Sequence, residues 1–213
     1  MKTKYKSLTL IELLVSLVLF TILVMGMSAF DIFGHFHAIT SDRRAAVQNE
    51  LSLVLEHMTK HITGYMLKGA IIGGAIGDVN NPPLVQDSNQ QGFSIRYDNG
   101  NGINYASDGW IGYEQVGSSL YYYSNDSQPV YNGSGQRTNG HTSTTSTKEV
   151  LTNHLVPLPH SGINTTWGLY FSPQVYTCDV YLNAIWDSTK AVALDNPQAS
   201  MKATIVAPAV SAH

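Results

Sequence analysis

Two hydrophobic rhythms divide the chain. Between Leu8 and Phe30 the only charged residue is Glu12, and most side chains are Leu, Val, Ile, Phe or Met, so this stretch is apolar on every side. After Asp31 the pattern becomes one-sided. Val47, Leu51, Val54, Leu55, Met58 and Ile62 recur at spacings of three and four, the stripe of an amphipathic helix. No proline falls between Leu8 and Thr63, so a single helix is expected over 8–64, about 80 Å long at 1.5 Å per residue. Gly26 and Gly34 are its expected soft points. The glycine-punctuated run GYMLKGAIIGGAIGDVNNPP then stops the helix in the sixties.

Beyond it the period changes to two. Residues 93–97 and 103–105 read as a hairpin around the DNGNG turn at 98–102, and further strands are expected at 110–116, 120–123, 167–171, 175–186 and 201–207. In VYTCDVYLNAIW, Tyr176, Cys178, Val180, Leu182, Ala184 and Trp186 alternate with Thr177, Asp179, Tyr181 and Asn183, so the even positions should face the core. The 201–207 strand should pair with it after a turn at Asp195-Asn196-Pro197. Residues 132–147, NGSGQRTNGHTSTTST, are too poor in apolar side chains for a core strand and read as an exposed polar loop. The predicted fold class is α+β: a long N-terminal helix, membrane-spanning in its first half, whose amphipathic second half packs on an antiparallel β-rich globular head over 65–213.

Length and charge sharpen this picture. A chain of 213 residues accommodates one ordinary domain and an appendage. Lys2, Lys4 and Lys6 make the extreme N-terminus basic, whereas six basic and ten acidic residues from Tyr65 onward give the head a balance of about −4. No basic footprint for nucleic acid results, and none is expected as a partner. Cys178 is the single cysteine, which excludes an intramolecular disulfide and a cysteine metal cluster. Its place on the apolar side of an alternating strand marks a small core residue.

A basic leader before an apolar run is the pattern of a signal peptide or a signal anchor. The 18 uncharged residues from Leu13 to Phe30 suffice to span a bilayer. Met25–Ala29 is the nearest approach to a cleavage site, and the helix pattern runs straight through it, so the segment should be retained. The lysines should hold the leader on the cytoplasmic side. Glu12 is then the anomaly, because a carboxylate inside hydrocarbon costs several kcal/mol. In a plain anchor it would snorkel to the nearby interface.

The stretch Ser7-Leu8-Thr9-Leu10-Ile11-Glu12-Leu13-Leu14-Val15 resembles the prepilin processing motif of the type IV pilin superfamily, which includes type II secretion and competence pseudopilins. The resemblance implies that a membrane aspartyl peptidase removes leader residues 1–7 by cutting between Ser7 and Leu8, and that Leu8 is then methylated. Glu12 becomes the fifth mature residue, meeting the freed amine of a neighbouring subunit, with Thr9, Leu10 and Ile11 beside it at the assembly surface. Ser7 replaces the family's usual Gly and Leu8 its usual Phe. The implied partners are other pilin or pseudopilin subunits, the prepilin peptidase, and an inner-membrane assembly platform with its ATPase. The implied location is the inner membrane for the precursor and an extracytoplasmic filament afterwards.

The head is similar to J-type minor pseudopilins over RRAAVQNELSLVLEHMTKHI, the Tyr-rich hairpins and the closing segment from Leu151, which implies either a place near a filament tip or a bulk subunit of that lineage. Some relatives bind calcium through acidic loops, which makes Asp78, Asp187 and Asp195 the candidates for such a site; no other cofactor is expected.

Enzymatic signals are weaker. His57 and His61 stand at i and i+4, a zinc-compatible spacing, but the Glu of H-E-x-x-H and a third ligand are missing, and a polar helix face explains them. His35 and His37 diverge on a helix. The DNGNG run suits a tight turn better than a calcium loop. No G-x-S-x-G elbow, Walker loop or dinucleotide fingerprint occurs, so no enzyme is expected. Asn125, Asn132 and Asn164 head N-x-S/T sequons, candidate glycosylation sites or chance matches in an Asn/Ser/Thr-rich chain. Three roles follow: a filament subunit, a signal-anchored extracytoplasmic binding module that does not polymerise, and a tip adhesin or uptake subunit of such a filament.

Overall fold

The computed structural model describes residues 9–66, 84–97, 108–142, 148–157, 167–173 and 177–206. Ser7, Leu8, Asp78, the 98–102 turn with its 103–105 strand, and Asn164 lie outside them. Helix α1 runs Leu10–Met66, as the proline-free periodicity requires. The chain divides into two compact units, Met1–Asp42 and Arg43–His213.

In the first unit the helix buries nothing. Its large apolar side chains from Leu10 to Phe36 are exposed, from 43% at Val24 to 81% at Leu10. Gly26 and Gly34 leave the helix unbroken, with open space where a Cβ would stand.

In the second unit α1 is one-sided. Val47, Leu51, Val54, Leu55, Met58 and Ile62 are all buried, and they join the strands in one core. Each such side chain contributes roughly 1.5–3 kcal/mol when taken from water. Two antiparallel sheets supply the rest. The first has the order β1 (Leu84–Gln86), β2 (Gly92–Tyr97), β3 (Gly109–Val116), β4 (Ser119–Tyr123), β5 (Lys148–Thr152). The second is β6 (Leu169–Pro173), β7 (Thr177–Ile185), β8 (Gln198–Val206). Phe93, Ile95, Ile111 and Tyr113 from the first sheet meet Phe171, Val180 and Leu182 from the second over the helix stripe. Phe93 stacks on Phe171 with ring centroids 4.2 Å apart. Polar bonds tie the sheets together: Gln86 Nε2 donates to the Phe171 carbonyl at 3.0 Å, and Gln115 Oε1 accepts from the amides of Gly168 and Leu169 at 2.9 Å each.

The fold class is therefore α+β, and β3, β4 and β7 stand where the alternation puts them. β8 pairs with β7 along nine residues, from Gln198↔Ile185 to Val206↔Thr177. Three details differ from expectation. Asn183 is buried although it falls on the polar side of β7, while Trp186, on the apolar side, is 38% exposed. The reason is a second cover: residues 153–157 cross the end of β7, where Ile185 N donates to His154 O and Asn183 Nδ2 donates to the carbonyls of Val156 and Pro157. The short β1 and the charged β5 (Lys-Glu-Val-Leu-Thr) are strands beyond those expected, because neither carries an alternation of apolar and polar positions. The polar tract is not uniformly exposed: of its described part, 132–142, Arg137 and His141 are buried.

Candidate assembly site

The helix starts at a cap spelled by its own first residues. Leu13 N donates to Thr9 O at 3.2 Å, making Thr9 the N-cap, and Glu12 stands three positions on. Thr9 N and Thr9 Oγ1 both donate to Glu12 Oε2, at 2.9 and 2.8 Å. This is one arm of a capping box, T-x-x-E, in which the carboxylate satisfies an amide the helix leaves orphaned. The negative charge also sits at the positive end of the helix dipole. Among the described residues, Oε1 of Glu12 accepts no hydrogen bond, and the cap rests on Oε2. Thr9, Leu10, Ile11 and Glu12 are all exposed at this end.

The rest of this segment hides its polar groups from its surroundings. The hydroxyls of Ser16, Thr21 and Ser28 donate back to the carbonyls of Leu13, Val18 and Val24 at 2.9, 2.7 and 2.9 Å. A helix that closes both its backbone and its hydroxyl bonds internally meets the requirement hydrocarbon imposes. It is long and apolar enough to cross a membrane.

Residues 2–28 match the family model for the prokaryotic N-terminal methylation motif. The N-terminus is of the prepilin type. No curated protein and no solved structure matches the chain. The matched span includes Glu12 and most of the apolar run after it, and the motif suits a membrane-anchored precursor of pilin or pseudopilin type.

The other candidates of the head are not brought together. Both oxygens of Asp187 are taken within its own turn, Oδ1 by the amide and hydroxyl of Thr189 and Oδ2 by Lys190 at 3.0 Å. Those bonds pull its pKa to about 2. Asp195 offers its carbonyl to Arg43. Asn132 Oδ1 accepts from the amides of Ser134 and Gln136, both at 2.9 Å, and its Nδ2 donates to Gln136 Oε1, so its carboxamide is built into a turn; Asn125 is half-buried. His57 Nδ1 lies 3.1 Å from the Tyr113 hydroxyl, and the His57 and His61 rings lie 4.5 Å apart, both against Tyr122. Burial lowers the pKa of both, that of His61 to about 4. Cys178 is buried among apolar neighbours, which pushes its thiol pKa up.

One cluster escaped the sequence. Arg137, 1% exposed, pairs through Nη1 with Asp126 Oδ2 and through Nη2 with Oδ1 at 3.2 Å. The same guanidinium donates to Ser94 Oγ at 2.6 Å, Ser127 Oγ at 2.9 Å and the carbonyls of Asn139 and Gly140 at 2.8 Å each. His141 lies between two carboxylates: Nδ1 is 2.7 Å from Asp126 Oδ2 and Nε2 is 2.9 Å from Asp87 Oδ2. With both ring nitrogens so engaged, His141 has no free lone pair for general-base chemistry. The four residues span positions 87 to 141, and the only local signal was a lone Arg and a lone His in an otherwise neutral polar tract.

Proposed function

We propose that this chain is a structural subunit of a type IV pilus-like or type II secretion pseudopilus filament, polymerising through α1 after its leader is cut between Ser7 and Leu8. The observation that carries the reading is the join of a methylation-motif N-terminus to an apolar helix whose polar groups are closed within it and which buries none of its own surface. Once outside the bilayer such a surface needs cover, and copies of the same helix offer it. Cleavage would free an amine at Leu8, four residues ahead of Glu12. An amine from a neighbouring subunit is a partner that the Glu12 carboxylate suits, and a charge pair removed from water sets register where an apolar stripe alone would slip. The peptidase, assembly platform, ATPase and sibling subunits are partners under this reading, and a place near the tip beside J-type minor pseudopilins is its narrower form.

One observation favours a second reading. Glu12 already holds two bonds from Thr9 within its own chain, so a signal-anchored binding module has a use for the same residue as a helix cap. Intact mass and N-terminal analysis of protein recovered from its source, with electron microscopy of the same material, separate the two. A methylated chain beginning at Leu8 in filaments supports the subunit; a chain beginning at Met1 in dispersed membrane monomers overturns it in favour of the anchor.

A further inference from the structure

Residues 124–142, which follow β4, cover one face of the five-stranded sheet. Phe93 and Ile95 of β2, and Ile111 and Tyr113 of β3, point into the helix-facing core, so the alternating Ser94, Arg96, Trp110 and Gly112 line the opposite face. Arg137 reaches Ser94 from this segment, and the His141 ring stacks on Tyr123 of β4 at 5.4 Å. A Cβ on Gly112 would strike His141 and Asp126, and one on Gly92 would strike Asp87 Oδ2 and the Tyr113 carbonyl; these two positions admit the cluster because they carry no side chain. Among the described residues, the segment's main-chain ties to the sheet and the turn after β1 are Asp126 N to Trp110 O, Arg137 N to Gln86 O and Ser88 N to Arg137 O. The ion cluster adds side-chain ties to Ser94 and Asp87. A chain with one cysteine has no covalent alternative.

The protonation state of His141 follows from its contacts. Both ring nitrogens face carboxylate oxygens, which accept and do not donate, so both must carry protons and the ring is imidazolium. Two carboxylates then balance one guanidinium and one imidazolium. A neutral ring has one N–H, so loss of the proton orphans one carboxylate and leaves a net negative charge among buried groups.

We propose that Asp87, Asp126, Arg137 and His141 form a proton-operated latch that holds residues 126–142 over the outer face of the five-stranded sheet, and that deprotonation of His141 releases this segment before the rest of the head unfolds.

The neighbouring groups leave His141 as the member that titrates first in base. Burial alone would strip its charge, but hydrogen bonds to Asp126 and Asp87 more than reverse this and raise its pKa from 6.5 to about 9. Tyr123, stacked on it, is pushed far above the ordinary phenol value by burial and by its bond to Glu114 of β3. Tyr131, facing Arg96 and Arg137, is raised by burial despite those cations. Arg96 of β2 is itself paired with Asp108 at 3.3 Å. In acid, burial works against the Asp126 charge, but His141 and Arg137 hold its pKa below 3.8. The His141 contribution is thus full below 6.5 and lost as pH rises through about 9, and the Asp126 contribution is lost only as pH falls below 3.8.

Hydrogen exchange of the full chain in detergent at pH 7 and pH 10, corrected for intrinsic rates, reads the latch directly. The expected result is a tenfold or greater loss of protection across 126–142 at pH 10 while β7 and β8 keep theirs. His141→Gln should open the same segment already at pH 7. Asp87→Asn leaves one carboxylate for the one N–H of a neutral ring, so it should stay closed at pH 7 and remain closed at pH 10. Unchanged protection in the wild type at pH 10, simultaneous loss in β7 and β8, or an Asp87→Asn chain that opens at pH 10 like the wild type would each overturn the proposal.

Discussion

The amide and hydroxyl of Thr9 converge on one oxygen of Glu12, at 2.9 and 2.8 Å, so the residue expected to join subunits also caps the start of its own helix. The cap uses one carboxylate oxygen, Oε2. Removing the acid and removing only its cap partner therefore have different consequences.

Glu12→Leu should leave leader cleavage intact and reduce filament yield by tenfold or more, whereas Thr9→Val, which keeps the Thr9 amide bond and loses the hydroxyl bond, should reduce it only slightly. Filaments sheared from cells and quantified by immunoblot provide the readout. Wild-type yield from Glu12→Leu would remove the acid from assembly.

Met58, fully buried at the centre of the helix stripe, tests the packing of α1 on the head. Met58→Ala should destabilise the head by about 2–5 kcal/mol through lost burial and a residual cavity. Urea denaturation followed by tryptophan fluorescence measures it, and Leu53→Ala, on the exposed side of the same helix, should stay within about 0.5 kcal/mol of the wild type.

Asn183 uses its whole carboxamide: Nδ2 donates to the carbonyls of Val156 and Pro157, and Oδ1 accepts from Gln198 Nε2 and Ser200 Oγ. Asn183 is fully buried, but its partners are half-buried or exposed and water can replace part of what they lose, so Asn183→Ala should cost about 1–2 kcal/mol. The loss should appear in the same denaturation assay, with backbone exchange rising first at 154–157.

His61 should make the head sensitive to acid. Burial, then the nearby His57 and Lys60, bring its pKa down from 6.5 to about 4, so the unfolded chain binds the proton more readily. Its contribution is present above 6.5 and fades as pH falls toward 4. The unfolding midpoint should drop between pH 7 and 4.5, and His61→Phe, which keeps a ring against Tyr122, should drop less. Equal slopes for the two proteins would assign the acid sensitivity elsewhere.

Local periodicity was enough for several elements. The stripe from Val47 to Ile62 needed only a helix and one apolar neighbour, and Cys178, Val180, Leu182 and Ala184 needed only a strand with one covered face, so both were legible from spacing. The N-terminal motif was legible too, because its meaning lies in contiguous residues, and the same Thr-Leu-Ile-Glu also spells a helix cap.

The sequence by itself determined a long helix that is apolar throughout at first and one-sided later, and a β-rich head closed by two strands placed at 175–186 and 201–207. Tertiary structure alone decided that Asn183 is inside and Trp186 partly outside, because a second segment covers the end of one strand and period-two patterns report a single face. It alone brought Asp87, Asp126, Arg137 and His141 together, since charges on a turn, a strand exit and a polar loop share no local period and become neighbours only when the chain closes over the sheet.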